Sequence, residues 1–149
     1  MSAIPNQLRH QRHWARRLAL QAIYQWQVGG GETGEILDQF ALDENMRRAD
    51  ADYFRELVRG VRDNTAELDT EIGRYADRAV ASIDPVELAL LRSACYELVH
   101  RPDVPFRVVI TEAVSLARKF GAEDGYKYVN AVLDGVAVRT RTIEAGAGG

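Results

Sequence analysis

Lys127 stands between Tyr126 and Tyr128 just after a Gly-containing joint, at the start of a segment with helical patterning. The first turn of a helix carries free backbone amides and a positive end, and both favour phosphate. Tyrosine adds a face on which an unpaired base can stack. A cation flanked by two aromatic residues at such a place therefore suits RNA. The same stretch, Asp103 to Asp134, is equally readable as two core helices joined by a turn. Asp124 sharpens the alternative. It either caps the second helix or, if phosphate approaches the same amides, repels it.

A second anion-directed feature lies at the other end of the chain. Residues 1–31 contain Arg9, Arg12, Arg16 and Arg17 and no acid, so this segment carries +4 while the other 118 residues carry −7, giving the net −3. A one-sign block in an acidic protein implies either a local anion-binding surface or a solvated arm. Other chemistry is missing. There is no Gly-rich phosphate loop, metal-ligand spacing or nucleophile motif. His10 and His13 can meet across a helical turn but have no converging Cys or carboxylate, and His100 complements a helix C-terminus. The expectation is a binding protein with no catalytic residues, metal or cofactor.

The elements that must position these residues read as helices throughout, so the expected fold class is all-α, with about seven helices. A first helix from His10 to Val28 places Leu18, Ala19, Ala22, Ile23 and Trp26 on an apolar face; Arg9, Arg12 and Arg16 are expected on the opposite arc, with Arg17 and Tyr24 at its edge. Gly29, Gly30 and Gly31 end it, and Ile36, Leu37 and Phe40 mark a short amphipathic piece. A helix over 50–64 buries Phe54, Leu57, Val58 and Val61; another from Thr65 carries Leu68, Ile72 and Tyr75 inward. Asp84, Pro85 and Glu87 form a strong helix start leading to Leu88, Leu91, Cys95 and Leu98. Phe106, Val109, Ile110, Ala113, Ala117 and Phe120 form the next stripe, with Gly121 as its C-terminal cap. The last helix buries Val129, Val132, Leu133 and Val136.

Composition supports one domain over 1–139 with a tail over 140–149 expected to be disordered: 149 residues, 46% hydrophobic and 28% charged. No apolar run reaches the roughly 20 residues of a membrane span, and no secretory signal is present, so a cytoplasmic location is expected. Cys95 stands in the apolar row and is read as core.

Beyond these patterns, the chain resembles the NusB family of bacterial transcription antitermination factors. The resemblance rests on Ala15-Arg16, Gln21-Ala22-Ile23-Tyr24 and Trp26; Tyr53-Phe54, Gly60-Val61 and Asn64; Leu91-Arg92 and Tyr96-Glu97-Leu98; Asp103-Val104-Pro105; and Glu112-Ala113, Lys119 through Asp124, Lys127, Val129-Asn130 and Val132-Leu133-Asp134. It runs from about Arg12 to Ala137. Two positions depart: His13 and Trp14 interrupt the family's arginine run, and Thr111 stands where Asn is usual.

The resemblance implies two packed three-helix bundles, no catalysis, binding of boxA RNA, and a heterodimer with the ribosomal protein NusE within an RNA polymerase antitermination complex, chiefly on rRNA operons. By position, Arg12 and Arg16 match the RNA-binding arginine segment, Tyr24 an RNA-side aromatic, and Lys127 and Tyr128 the basic and aromatic positions of the last helix. Tyr24 and Tyr128 can equally be half-buried aromatics. Glu87 matches the NusE-contacting region and can equally be a helix cap. Two other readings stay open: the NusB-like RNA-binding domain of an rRNA cytosine methyltransferase, which needs an additional cofactor-binding domain, and a helical interaction module without RNA. The resemblance leaves monomer and homodimer undecided.

Overall fold

Small residues decide how closely the first helix can be approached. α1 (Asn6–Gly29) turns Ala15, Leu18, Ala19, Ala22 and Ile23 inward, each at most 1% exposed, so neighbouring helices pack directly against it. It starts four residues before the expected His10 and stops where Gly30 adopts φ 73°, a left-handed conformation that glycine takes without strain. The computed structural model describes residues 4–142.

α2 (Thr33–Ala41) buries Ile36, Leu37 and Phe40. A 3₁₀ turn, Glu44–Arg48, follows, with the Asp43 side chain accepting the Asn45 N–H at its start. α3 (Ala51–Asp63) begins where Asp50 accepts the Tyr53 N–H at 3.0 Å, and it buries Tyr53, Phe54, Leu57, Val58 and Val61. These three helices pack together as the first bundle.

α5 (Pro85–His100) belongs to both halves. Asp84 caps it by accepting the Val86 and Glu87 N–H groups at 3.0 and 3.2 Å. Contact with α1, α3, α4, α6 and α7 leaves ten of its sixteen residues buried. α6 (Phe106–Phe120) and α7 (Gly125–Thr140) complete the second bundle around it, with α4 (Thr65–Gly73) laid across α5 and α7. The all-α fold of two packed three-helix bundles agrees with expectation, and no described residue is in a strand. Leu91 and Leu133 are fully buried, and burial of each such side chain contributes roughly 1.5–3 kcal/mol.

Glycines mark the close approaches. A Cβ on Gly60 of α3 would overlap the Tyr96 ring of α5, and one on Gly135 of α7 would overlap the Tyr75 ring. Tyr75 is consequently not an inward residue of α4: that helix ends at Gly73, and the ring, 39% exposed, lies against α7 instead. Cys95 is core as expected, its thiol pushed up to about 12 by burial, with nearby acids adding to the shift.

Thr140 and Arg141 were expected at the start of the tail. α7 runs to Thr140, and Arg141 is buried, donating to the carbonyls of Glu97, Leu98, Arg101 and Val104 at 2.8–3.1 Å. The end of a helix leaves carbonyls without intrahelical partners, and at α5 one guanidinium satisfies several of them. The rest of the expected tail, residues 143–149, lies outside the described residues. No helix among the described residues is long and apolar enough to cross a membrane.

Candidate nucleic-acid interface

The four N-terminal arginines do not form one arc. Arg16 is 6% exposed. Its Nε and NH2 donate to the two oxygens of Glu97 at 3.0 and 2.9 Å, and NH1 donates to Glu112 at 3.1 Å. The Tyr53 hydroxyl also donates to Glu97, and His13 Nδ1 lies 3.1 Å from Glu112. Burial alone would lower the pKa of Arg16, but the hydrogen bonds and charge of Glu97 outweigh it and hold the guanidinium above its usual range. Burial, then the charge of Glu97, likewise pushes the Tyr53 phenol up. Helices α1, α3, α5 and α6 meet at this polar seam, which holds the Arg16 guanidinium between acids inside the protein.

Helical spacing carried that signal. Arg16, Ala19 and Ile23 follow i, i+3, i+7, as do Arg12, Ala15 and Ala19, whereas Arg17 lies on the opposite side of α1 at 100° per residue. Arg12 is accordingly half-buried, its guanidinium 4.6 Å above the Tyr53 ring. Arg9 is the exposed arginine of the four, and Arg17, half-buried like Arg12, packs against rings on another side of the helix.

Around Arg17 the structure gathers residues that the periodicity did not bring together. Its guanidinium lies 4.8 Å from the Trp14 ring centre and 5.0 Å from that of Phe120. Arg48, on the 3₁₀ turn, approaches Trp14 at 5.2 Å, and Lys119 approaches Phe120 at 5.8 Å. Phe120 was expected in the core stripe of α6 but is 37% exposed, because it closes the helix where the chain leaves the bundle. Among the described residues no carboxylate is ion-paired to Arg17, Arg48, Arg118 or Lys119, while Arg55, Arg74, Arg92, Arg101 and Arg139 are all ion-paired.

Tyr24 is 40% exposed and lines an open groove of about 610 Å³ with Leu20, Gln21, Val86 and Phe120. The shared Phe120 joins this groove to the Arg17 cluster. At the start of α7, Arg118 lies 4.1 Å from the Tyr126 ring centre and Lys127 lies 5.9 Å from it. Tyr128 points elsewhere. Two residues along a helix turn through about 200°, so Tyr128 faces Asp77 and Arg78, whose guanidinium is 4.6 Å from its ring. Tyr126 is the aromatic that shares a surface with Arg118 and Lys127.

The α6–α7 joint differs from the simple phosphate cradle suggested by its residue types. Glu87, matched to the partner-contacting region or read as a helix cap, is 6% exposed and reaches this joint: its carboxylate accepts the Ala122 N–H, and a Cβ on Gly125 would overlap its oxygen. The positive end of α7 thus already faces an internal acid. Burial, then the charge of Asp84, raises the Glu87 pKa, while Arg78 and the Ala122 N–H partly offset the rise. Asp124 does not cap α7. It occupies the left-handed region at φ 63°, which aspartate tolerates better than most residues, and its exposed carboxylate sits 3.4 Å from Lys127 Nζ. Among the described residues no group of His, Cys, Asp and Glu could hold a metal.

Comparison with known proteins agrees with this architecture. The model of the NusB family matches residues 13–138. The transcription antitermination protein NusB of Xanthomonas axonopodis pv. citri is 52% identical over 135 residues, which make up 91% of this chain and 85% of that protein. Among solved structures, NusB of T. maritima is 30% identical with a TM-score of 0.76, covering 85% of this chain and 89% of its own. A chain in the complex of antitermination factors NusB and NusE with double-stranded RNA is 26% identical with a TM-score of 0.78, covering 85% of this chain and 96% of that one.

Proposed function

This chain belongs to the NusB family, and on that premise we propose that it serves transcription antitermination as an RNA-binding adaptor rather than an enzyme. It holds a boxA RNA element, pairs with NusE, and so keeps nascent RNA beside the elongating RNA polymerase in the cytoplasm, chiefly on rRNA operons. The observation that carries the RNA contact is the set of cations stacked on aromatic faces without acid partners: Arg17, Arg48, Arg118 and Lys119 on Trp14, Phe120 and Tyr126. A guanidinium lying over a ring keeps its in-plane N–H donors free for phosphate, and single-stranded RNA needs both charge and stacking faces.

In this reading Lys127, Tyr24 and the half-buried Arg12 border the RNA, and Arg16 supports α1 from beneath. Tyr128 acts at the margin through Arg78. Glu87 influences NusE association through the joint it braces, since its side chain is covered. Asp124 competes with phosphate for Lys127.

The test is a salt series of anisotropy titrations with a boxA-type RNA and a scrambled control, each with and without NusE. Binding to about four phosphates gives a log-log salt slope near −3, with preference for boxA and gain from NusE. Asp124→Asn should tighten binding by roughly fivefold at low salt, on the order of 1 kcal/mol, and by less at high salt. Equal binding of the scrambled RNA with a flat salt response would refute the reading. Light scattering on the same samples distinguishes a monomer from a homodimer.

A further inference from the structure

We infer that Trp14, flanked by Arg17 and Arg48, carries the RNA track off α1 and onto the 3₁₀ turn Glu44–Arg48, where one base stacks and Arg48 takes an additional phosphate. This rests on the RNA-binding reading above and adds to it a stretch that the arginine run of α1 does not provide.

Trp14 is only half-buried although its neighbour Ala15 is fully buried, so it lies at the flank of α1 and not in the core. Two guanidiniums approach its ring from different elements, Arg17 at 4.8 Å and Arg48 at 5.2 Å. Neither has an ion-pair partner among the described residues. An arginine whose only role were to hold the turn against α1 would be better served by a carboxylate, as Arg92 is by Asp69 at 2.8 Å.

The turn is also well placed to hold Arg48 steady. Asp43 caps its start, the Asp50 N–H bonds the Gln11 carbonyl of α1 at 3.0 Å, and the turn packs along α1. Preorganised donors lose less freedom when a ligand arrives. The Arg17 side chain then links two stacking faces, Trp14 on one side and Phe120 on the other. Alternating cations and aromatic faces match the alternating phosphates and bases of a single strand. A protein partner or lipid surface would use the charge but leave the ring faces without a specific task.

The interruption of the arginine run by Trp14 thus exchanges one phosphate contact for a stacking face, and Arg48 restores the charge from a different element. The experiment uses the full chain and a labelled boxA-type RNA. Trp14→Ala should weaken binding by about tenfold, Trp14→Phe should stay within about threefold of the parent because a ring remains, and Arg48→Gln should make the salt slope shallower by about 0.7. In a Trp26→Phe background, Trp14 is the sole tryptophan, and its emission should be quenched by RNA. That readout does not move if Trp14 only packs. If the parent binds RNA while Arg48→Gln keeps its slope and Trp14 emission is unaltered, the track ends at α1 and the inference is wrong. If the parent binds no RNA, the RNA-binding reading fails first and this extension falls with it.

Discussion

Arg16 and Arg17 are adjacent in sequence and opposite in fate. Arg16 sits on the apolar side of α1, where Glu97 and Glu112 arrive from α5 and α6 and consume its donors. Arg17, turned by one residue, meets rings instead of acids and keeps its donors available. The charge of an arginine therefore says little about its role. What matters is whether the fold brings a carboxylate to it. Elsewhere the two environments mix: Arg78, Arg92 and Arg101 pair with acids and also lie over rings.

Removing Arg16 gives the largest effect. Arg16→Gln leaves Glu97 and Glu112 without their cation, and breaking a buried pair from one side costs about 3–5 kcal/mol. For a chain of this size that corresponds to a fall in melting temperature of roughly 10 °C. Calorimetry should show it, while RNA affinity per folded molecule stays near the parent's. A stable Arg16→Gln protein with weakened RNA binding would erase the contrast between the two arginines.

The converse change tests the ring-packed arginine. Arg17→Gln removes no ion pair and should cost about 1 kcal/mol or less, yet make the RNA salt slope shallower by about 0.7. Thermal melts and a salt series on one preparation compare both quantities. Loss of stability with an unchanged slope would move Arg17 to the structural class.

The smallest effect belongs to Glu87, a buried acid with no close cation of the Arg16 kind. Its pKa is raised in the folded protein, so the folded state binds a proton more readily than the unfolded one. Its contribution is therefore most favourable below the ordinary glutamate range and is lost as pH rises through the raised value. Glu87→Gln, which still offers an acceptor to the Ala122 N–H, should match or slightly exceed the parent's melting temperature at pH 7, and the gap should close as pH falls toward about 4. A variant that is clearly less stable at pH 7 would show that the carboxylate charge itself holds the joint.

Much of the architecture was open to reading from residue types. Apolar residues at helical spacing, Asp50 and Asp84 before helix starts, and the glycines after Val28 marked the elements because caps and periodicity act within a few residues. The site was less legible. Lys127 and Tyr24 adjoin the cationic band, but Arg12, Arg16, Glu87 and Tyr128 are turned into contacts with Tyr53, Glu97, the α6–α7 joint and Arg78.

The sequence by itself determined the helices, their inward rows and the resemblance to a family whose members match nearly the whole chain. Only the tertiary structure decided which charges remain available. Glu97 lies 81 positions from Arg16, and Glu112 lies 96 positions from it, so their meeting depends on how α1, α5 and α6 pack. Likewise Arg17 reaches Phe120, and Trp14 reaches Arg48, only because separate elements converge. Local propensity acts over one or two turns of chain, whereas neutralisation of a charge acts through space, and only the packed fold specifies those distances.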